Sequence, residues 1–219
     1  MTTPQEEPNW FEPEGWEGRY AGEGRTWSGQ ANPQLVVEAS QLTPGTALDV
    51  GCGEGGDVVW LARQGWHVTG ADFSPAGLRR AAQAARHAGV ADRVGFWETD
   101  ARTFTTPVVD GEPRVWDLVT SHYLHPADGG MAAVVERLAT AVAPGGHLLV
   151  VGHAPVGPHA EMSESHRRAM FVAADLVPSL PAGFTPVVVE QRPRTVVREG
   201  EEMEIVDSTL LARREADRT

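Results

Sequence analysis

The stretch LDVGCGEGG, Leu48–Gly56, decides how the rest of the chain reads. A short apolar strand-like run, TALDV (46–50), breaks into four glycines within six residues, with Asp49, Glu54 and Asp57 around them. A buried run of this length ending in glycines reads as a strand entering a loop. Glycines there let backbone approach a ligand closely. DVVWLARQG (57–65) then reads as a helix closed by Gly65.

Outward from this loop the chain alternates. HVTGAD (67–72) is a second strand, and SPAGLRRAAQAARHAG (74–89) a helix with Ser74 as N-cap, Pro75 in its first turn and Gly89 past its end. The spacing puts Leu78, Ala81, Ala82 and Ala85 on its inner face and leaves Arg79, Arg80 and Arg86 to solvent. VGFWETD (94–100), DLVTSH (117–122) and HLLVVGH (147–153) supply three more strands, with MAAVVERLATAV (131–142) as a helix between the last two. SESHRRAMFVAADLV (163–177) reads as another helix, and PVVVEQR (186–192) and EIVDSTLLAR (204–213) as two closing strands around an REGEE turn. Strands alternating with helices of this length imply a parallel sheet covered on both faces, with right-handed crossovers gathering the strands' C-terminal ends on one binding edge.

The 219 residues fit one domain, 1–219, with a core from 46 to 219. Residues 1–33 are rich in Pro, Gly, Glu and Trp and read as irregular chain folding over something else; residues 33–42 read as a short helix begun by Pro33. The net charge of -12 argues against non-specific nucleic-acid binding. All 18 basic residues are arginine, which excludes any mechanism built on an active-site lysine. The single cysteine, Cys52, permits neither an intrachain disulfide nor a cysteine metal cluster. No apolar run approaches the roughly 20 residues of a membrane helix, and MTTPQEEPNW lacks the pattern of a secretion signal. The expectation is a soluble cytoplasmic protein, a monomer or weak homodimer.

Gly51, Gly53 and Gly56 satisfy the dinucleotide spacing G-x-G-x-x-G, and Asp72 follows about twenty residues on, where an acid would meet a ribose. Charge argues for a different ligand. A pyrophosphate needs the positive end of a helix, yet Asp49, Glu54 and Asp57 surround that end and no Lys or Arg occurs between Leu42 and Arg63. Like charges near 4 Å repel by about 1 kcal/mol in water and several at lower dielectric. A cationic nucleoside without phosphate suits the loop better, and S-adenosylmethionine is such a molecule.

LDVGCGEGG, GADFS, ETDAR, WDLVTSHYLH and APGGHLLVV, in this order, resemble the motifs of class I S-adenosylmethionine-dependent methyltransferases. The resemblance covers about residues 46–152, and the last two strands match the family's terminal hairpin. WEGRYAGEGRTWSGQAN (16–32) is similar to the lead-in of small-molecule methyltransferases related to the thiopurine and tellurite-resistance enzymes. The implied fold is a three-layer, Rossmann-like α/β sandwich whose seven-stranded, mostly parallel sheet ends in an antiparallel hairpin. The implied activity is methyl transfer to a small molecule. The resemblance places Asp49, Gly51, Cys52 and Gly53 along the methionine part of the cofactor, Asp72 on the ribose hydroxyls and Phe73 against the adenine. It also sets Asp100 and Ala101 at the adenine amino group, and Ser121 and His122 beside the reacting methyl.

Methyl transfer from a sulfonium needs alignment and exclusion of water above all. Where the acceptor carries a proton, a base is required. His122, His125 and His153, on loops after the fourth and fifth strands, are the candidates, with His159 able to join them. Four histidines on one edge also raise a metal site, but no acidic or cysteine partner is adjacent in sequence, so none is expected. Tyr20, Trp27 and Asn32 are candidates for a lid, with Tyr20 and Trp27 closing on the cofactor. The competing readings are an NAD(P)-dependent oxidoreductase and a non-catalytic nucleotide-binding module.

Overall fold

The computed structural model describes residues 12–124, 126, 130–157, 167, 169–198 and 200–217. Strands β1 (Thr46–Val50), β2 (His67–Asp72), β3 (Val94–Glu98), β6 (Trp116–His122), β7 (Val142–His153), β8 (Phe184–Arg198) and β9 (Glu201–Arg214) form one sheet in the order β3-β2-β1-β6-β7-β9-β8. The first five strands in this order pair in parallel, whereas β9 runs antiparallel to β7 and β8 antiparallel to β9. The order reverses between β1 and β6, and the glycine loop leaves β1 at that switch point.

Both faces are covered. Leu48, Val50, Val119, Leu148 and Val150 point to one face and pack with Val134, Val135 and Leu138 of α5 (Met131–Ala139) and Leu176 of α6 (Ala173–Leu176). Ala47, Val68, Leu118, Leu149 and Val151 point to the other. They meet Leu35 of α2 (Pro33–Ala39), Leu61 and Ala62 of α3 (Gly56–Arg63) and Ala85 of α4 (Pro75–His87). Alternate residues of one strand serve opposite layers, which is why these strands read as nearly continuous apolar runs.

Helix ends follow local chemistry. The Ser74 hydroxyl accepts the Gly77 N–H at 3.0 Å, and the Asn32 side chain caps α2 through the Gln34 N–H at 2.8 Å. Gly65 and Gly89 take positive φ at 100° and 71°, stopping α3 and α4.

Four elements differ from the sequence expectation. Residues Pro13–Ala21 form a helix, α1, where irregular chain was expected; its side chains alternate without an apolar stripe, so periodicity could not reveal it. A small hairpin, β4 (Val108–Val109) and β5 (Glu112–Pro113), turns on Asp110 and Gly111, both at positive φ. Asp-Gly is the usual two-residue hairpin signal, and it stood in the sequence unread. Strand β7 begins at Val142, so APGG lies inside it across a register shift instead of forming a turn. Of the helix expected over 163–177, residues 173–176 are helical and 170–172 are not, while 163–166 and 168 lie outside the described residues.

The β8–β9 ladder continues beyond β7. His153 pairs with Asp207, and the hairpin runs on from Pro193↔Val206 to Arg198↔Glu201 past the binding edge. Strand β8 is outermost, with a register shift between Pro186 and Val188.

Candidate active site

Chain geometry fixes the glycine loop first. Gly51, Gly53 and Gly55 take φ of 81°, 50° and 80°, values that L side chains resist. The N–H groups of Gly51 and Cys52 both donate to the Ala71 carbonyl, that of Gly53 to Asp72 Oδ2 at 2.8 Å, and that of Gly55 to the Cys52 carbonyl. These amides are therefore spent inside the protein. A pyrophosphate cradle needs them free and pointing outward.

The carboxylates of the loop have separate fates. Glu54, expected to add negative charge to the ligand site, accepts from the Thr26 and Trp27 N–H groups and pairs with Arg80 at 2.6 Å. Arg80 is thus not left to solvent as its helix position suggested; it also donates to the Gly22 and Gly24 carbonyls. Asp57 accepts the Asn32 N–H through Oδ1 at 2.6 Å and faces His122 Nδ1 through Oδ2 at 2.9 Å. Asp49 is 2% exposed and accepts the Thr120 hydroxyl through Oδ1 at 2.9 Å. The site is less anionic than the sequence implies, and what remains concentrates on Asp49.

Asp49, at the tip of β1, and Ser121 and His122, at the tip of neighbouring β6, each carry a buried polar atom without a hydrogen-bond partner among the described residues: Oδ2, Oγ and Nε2. Buried polar atoms in native folds are nearly always satisfied, so three orphans at the adjoining tips of β1 and β6 mark a place for a ligand. Burial, then repulsion from Asp57, raises the Asp49 pKa. Burial alone would lower that of His122, but Asp57 and Asp49 outweigh it and the net shift is upward. Asp49, Asp57 and His122 offer ligand atoms within 4.8 Å of one another, a set that would also admit a cation, although no metal was expected from sequence.

At the tip of β2, Asp72 accepts the Gly53 N–H and, through Oδ1, the Ser74 N–H at 2.8 Å. Each oxygen keeps a lone pair for a further donor. Its pKa is raised, chiefly by burial. Phe73 is half-buried and Ala101 buried. Asp100 is engaged by Arg102, which donates from Nε at 3.0 Å and Nη2 at 2.8 Å and lowers its pKa against the effect of burial. Cys52 is buried and its thiol pKa is pushed up by that burial, which makes it a packing residue with no thiolate to offer. His125 and His159 lie outside the described residues. His153 ends β7, away from the glycine loop, 3.6 Å from Asp207 and with its ring 4.4 Å from that of Tyr123.

The N-terminal segment lies over the loop. A Cβ on Gly53 would meet the Tyr20 hydroxyl at 2.8 Å, and one on Gly56 the Gln30 carbonyl at 2.9 Å. Trp27 Nε1 donates to the Tyr20 hydroxyl at 3.2 Å, and Trp16 stacks on Tyr20 at 5.7 Å. Glu17 of α1 accepts the Ser74 hydroxyl and the Ala76 N–H. Tyr20, Trp27 and Asn32 thus come together above the loop. Glu17, Glu54, Asp57 and Arg80 hold them there; Glu54 and Asp57 were expected only as charges facing the ligand, and Glu17 and Arg80 not at the site at all. Their partners lie 25 to 59 positions apart, beyond the reach of local pattern.

Sheet order, switch-point loop and strand-tip acids together define a Rossmann-like α/β domain with a ligand-binding edge at the strand tips. Comparison with known proteins agrees. Residues 47–146 match the family described as "Methyltransferase domain". The chain is 32% identical to Methyltransferase GfsG of Streptomyces halstedii over 126 residues, 56% of this chain and 43% of that protein. It is 29% identical to Thiocyanate methyltransferase 1 of Brassica oleracea over 199 residues, 89% of this chain and 84% of that one. Its fold superposes on the N-methyltransferase NodS of Bradyrhizobium japonicum WM9, solved with S-adenosyl-L-homocysteine, with a TM-score of 0.64 at 20% identity, covering 92% of this chain and 97% of NodS. Among the described residues no helix is long and apolar enough to cross a membrane.

Proposed function

We propose that this chain, acting as one domain in the cytoplasm, transfers a methyl group from S-adenosylmethionine to a small-molecule acceptor. The observation that carries this reading is the set of three orphaned polar atoms on Asp49, Ser121 and His122 beside a glycine loop whose Gly51, Cys52, Gly53 and Gly55 amides are already spent. An ammonium satisfies a buried carboxylate, and a ligand without phosphates needs nothing from those amides. When bound, the cofactor supplies a methyl group made electrophilic by its sulfonium.

Asp49 would hold the ammonium, with Gly51, Cys52 and Gly53 lining the methionine part and Ser121 bordering it. Asp72 would take the ribose hydroxyls on its remaining lone pairs. Phe73 would cover the adenine, and Asp100 and Ala101 its amino edge, with Arg102 fixing the Asp100 carboxylate. Tyr20 and Trp27 would form the wall that excludes water, tied down through Glu54 and Asp57. Nδ1 of His122 faces Asp57, so in the neutral ring Nδ1 would carry the proton and Nε2 would be the acceptor; where the nucleophile arrives protonated, that nitrogen would take its proton. His153 would border the acceptor.

Calorimetric titration with S-adenosyl-L-homocysteine and with NADH tests the reading. Binding of the first and not the second is expected. The reverse result would overturn it in favour of an oxidoreductase, and binding without turnover of a labelled methyl group would leave a nucleoside-binding module.

A further inference from the structure

A second polar cluster lies on the binding edge, apart from the cofactor groups. Asp207 of β9 is fully buried and its pKa is held at about 2, where hydrogen bonds and Arg194 outweigh the opposing effect of burial. Its Oδ1 accepts the Tyr123 hydroxyl at 2.9 Å, and its Oδ2 accepts Arg194 Nε at 2.6 Å and Gln34 Nε2 at 3.2 Å. The Tyr123 hydroxyl in turn accepts Arg194 Nη2 at 2.8 Å. Tyr123 directly follows His122 and holds a φ of 50°, a conformation an aromatic residue adopts only where its surroundings impose it.

Donor counting shows what this cluster has left. Arginine carries five N–H donors in a rigid fork. Asp207 and Tyr123 take two of them, so both N–H groups of Nη1 and one of Nη2 have no partner among the described residues. Two of these, one on each Nη, form the far end of the fork, an edge that matches a carboxylate or another delocalised monoanion. Asp207 is saturated and has no room for a cation. The Arg194 side chain is 25% exposed, so the edge is reachable, and its stem is fixed by Asp207 below and the Tyr123 ring beside it. Neighbouring Arg192 is committed to Glu38 at 2.6 Å and Glu190 at 2.7 Å.

We propose that Arg194, oriented by Asp207 and Tyr123, is an anion-recognition site that selects a negatively charged methyl acceptor. This rests on the methyltransferase reading and narrows its substrate class. An anionic acceptor suits the chemistry: its lone pair forms the new bond to the methyl carbon, the sulfur–carbon pair returns to sulfur, and opposite charges cancel as the reaction proceeds.

The full chain, saturated with S-adenosyl-L-homocysteine, is titrated with matched probes: benzoate against benzamide, and thiocyanate against methyl thiocyanate. The anions should bind and their neutral partners should not. Arg194→Gln should weaken anion binding by about 10- to 100-fold with the affinity for S-adenosyl-L-homocysteine unchanged, and Arg194→Lys should recover part of the loss. Neutral probes that bind as well as the anions, no anion binding at all, or an Arg194→Gln variant with full anion affinity would each overturn the proposal. If Arg194→Gln does not fold, Arg194→Lys alone decides, since it keeps the charge and loses the fork: undiminished anion binding counts against the site. Failure of S-adenosyl-L-homocysteine to bind the unmodified chain strikes at the methyltransferase reading instead, and the anion titration is then judged on the chain alone by the same criterion.

Discussion

Replacing Asp49 by Asn should make the ligand-free protein more stable at alkaline pH while weakening its hold on the cofactor. Asn is isosteric and keeps an acceptor for the Thr120 hydroxyl, so packing is preserved. What disappears is a buried charge with an orphaned oxygen. The pKa values of Asp49 and His122 are both raised on folding, so the folded chain binds protons more tightly than the unfolded one. Stability from such groups is complete below their unfolded pKa values and is lost as pH rises through the folded ones. For the wild-type protein the melting temperature should therefore fall between pH 5 and pH 8. Each unit of net shift is worth about 1.4 kcal/mol, or roughly 3–5 °C for a chain of this size. In Asp49→Asn the slope should shrink without vanishing, because His122 keeps Asp57 as partner. Its affinity for S-adenosyl-L-homocysteine should drop by about 10- to 100-fold, the worth of a hydrogen bond to a charged group. Differential scanning calorimetry across the pH range and titration calorimetry at pH 8 measure both effects. A variant whose melting temperature falls as steeply as the wild type, or that binds the ligand equally well, would refute the reasoning.

Asp72→Ala should weaken cofactor binding by roughly 100-fold or more, since two hydroxyl contacts to a charged group are lost together; unchanged affinity by calorimetry would remove Asp72 from the ribose. His122→Ala should lower kcat more than it weakens cofactor binding, and equal losses in steady-state kinetics and calorimetry would contradict its role at the methyl. Arg80→Gln should cost about 2 kcal/mol, because Glu54 stays buried with only backbone donors. Faster hydrogen exchange across residues 22–30 in that variant would show that the covering segment has loosened, and no change would mean that Arg80 does not hold it.

The parallel core was legible because its signals are local. TALDV, HVTGAD and DLVTSH are apolar runs of strand length, and Ser74, Pro75 and Gly89 bound α4 by rules that operate within one turn. The strand ends followed from the same alternation, so Asp49, Asp72 and His122 stand near strand tips as expected, whereas their roles came from the resemblance. What stayed hidden depends on contacts between distant parts of the chain. The pairing of Glu54 with Arg80 overturned the view of an unrelieved anionic loop, and it joins residues 26 positions apart. Asp57 reaches His122 across 65 positions, and Gln34 reaches Asp207 across 173. No periodicity encodes such meetings. Helix α1 was missed for a related reason: it is held by Glu17 and Tyr20 against α4 and the glycine loop, with no stripe of its own to announce it.

The outermost position of β8 has a consequence for crowded solution. A fifteen-residue border strand carrying exposed Val187, Val189 and Val197 would ordinarily template addition of a strand from another molecule. Pro186 and Pro193 each delete a backbone donor, the offset at Val188 breaks the regular repeat, and Glu190 and Arg192 place charges along the rim. An incoming chain would find no uninterrupted run of partners longer than the six residues between the prolines. The same strand that carries Arg194 to the binding edge is thereby protected against fibril-like growth.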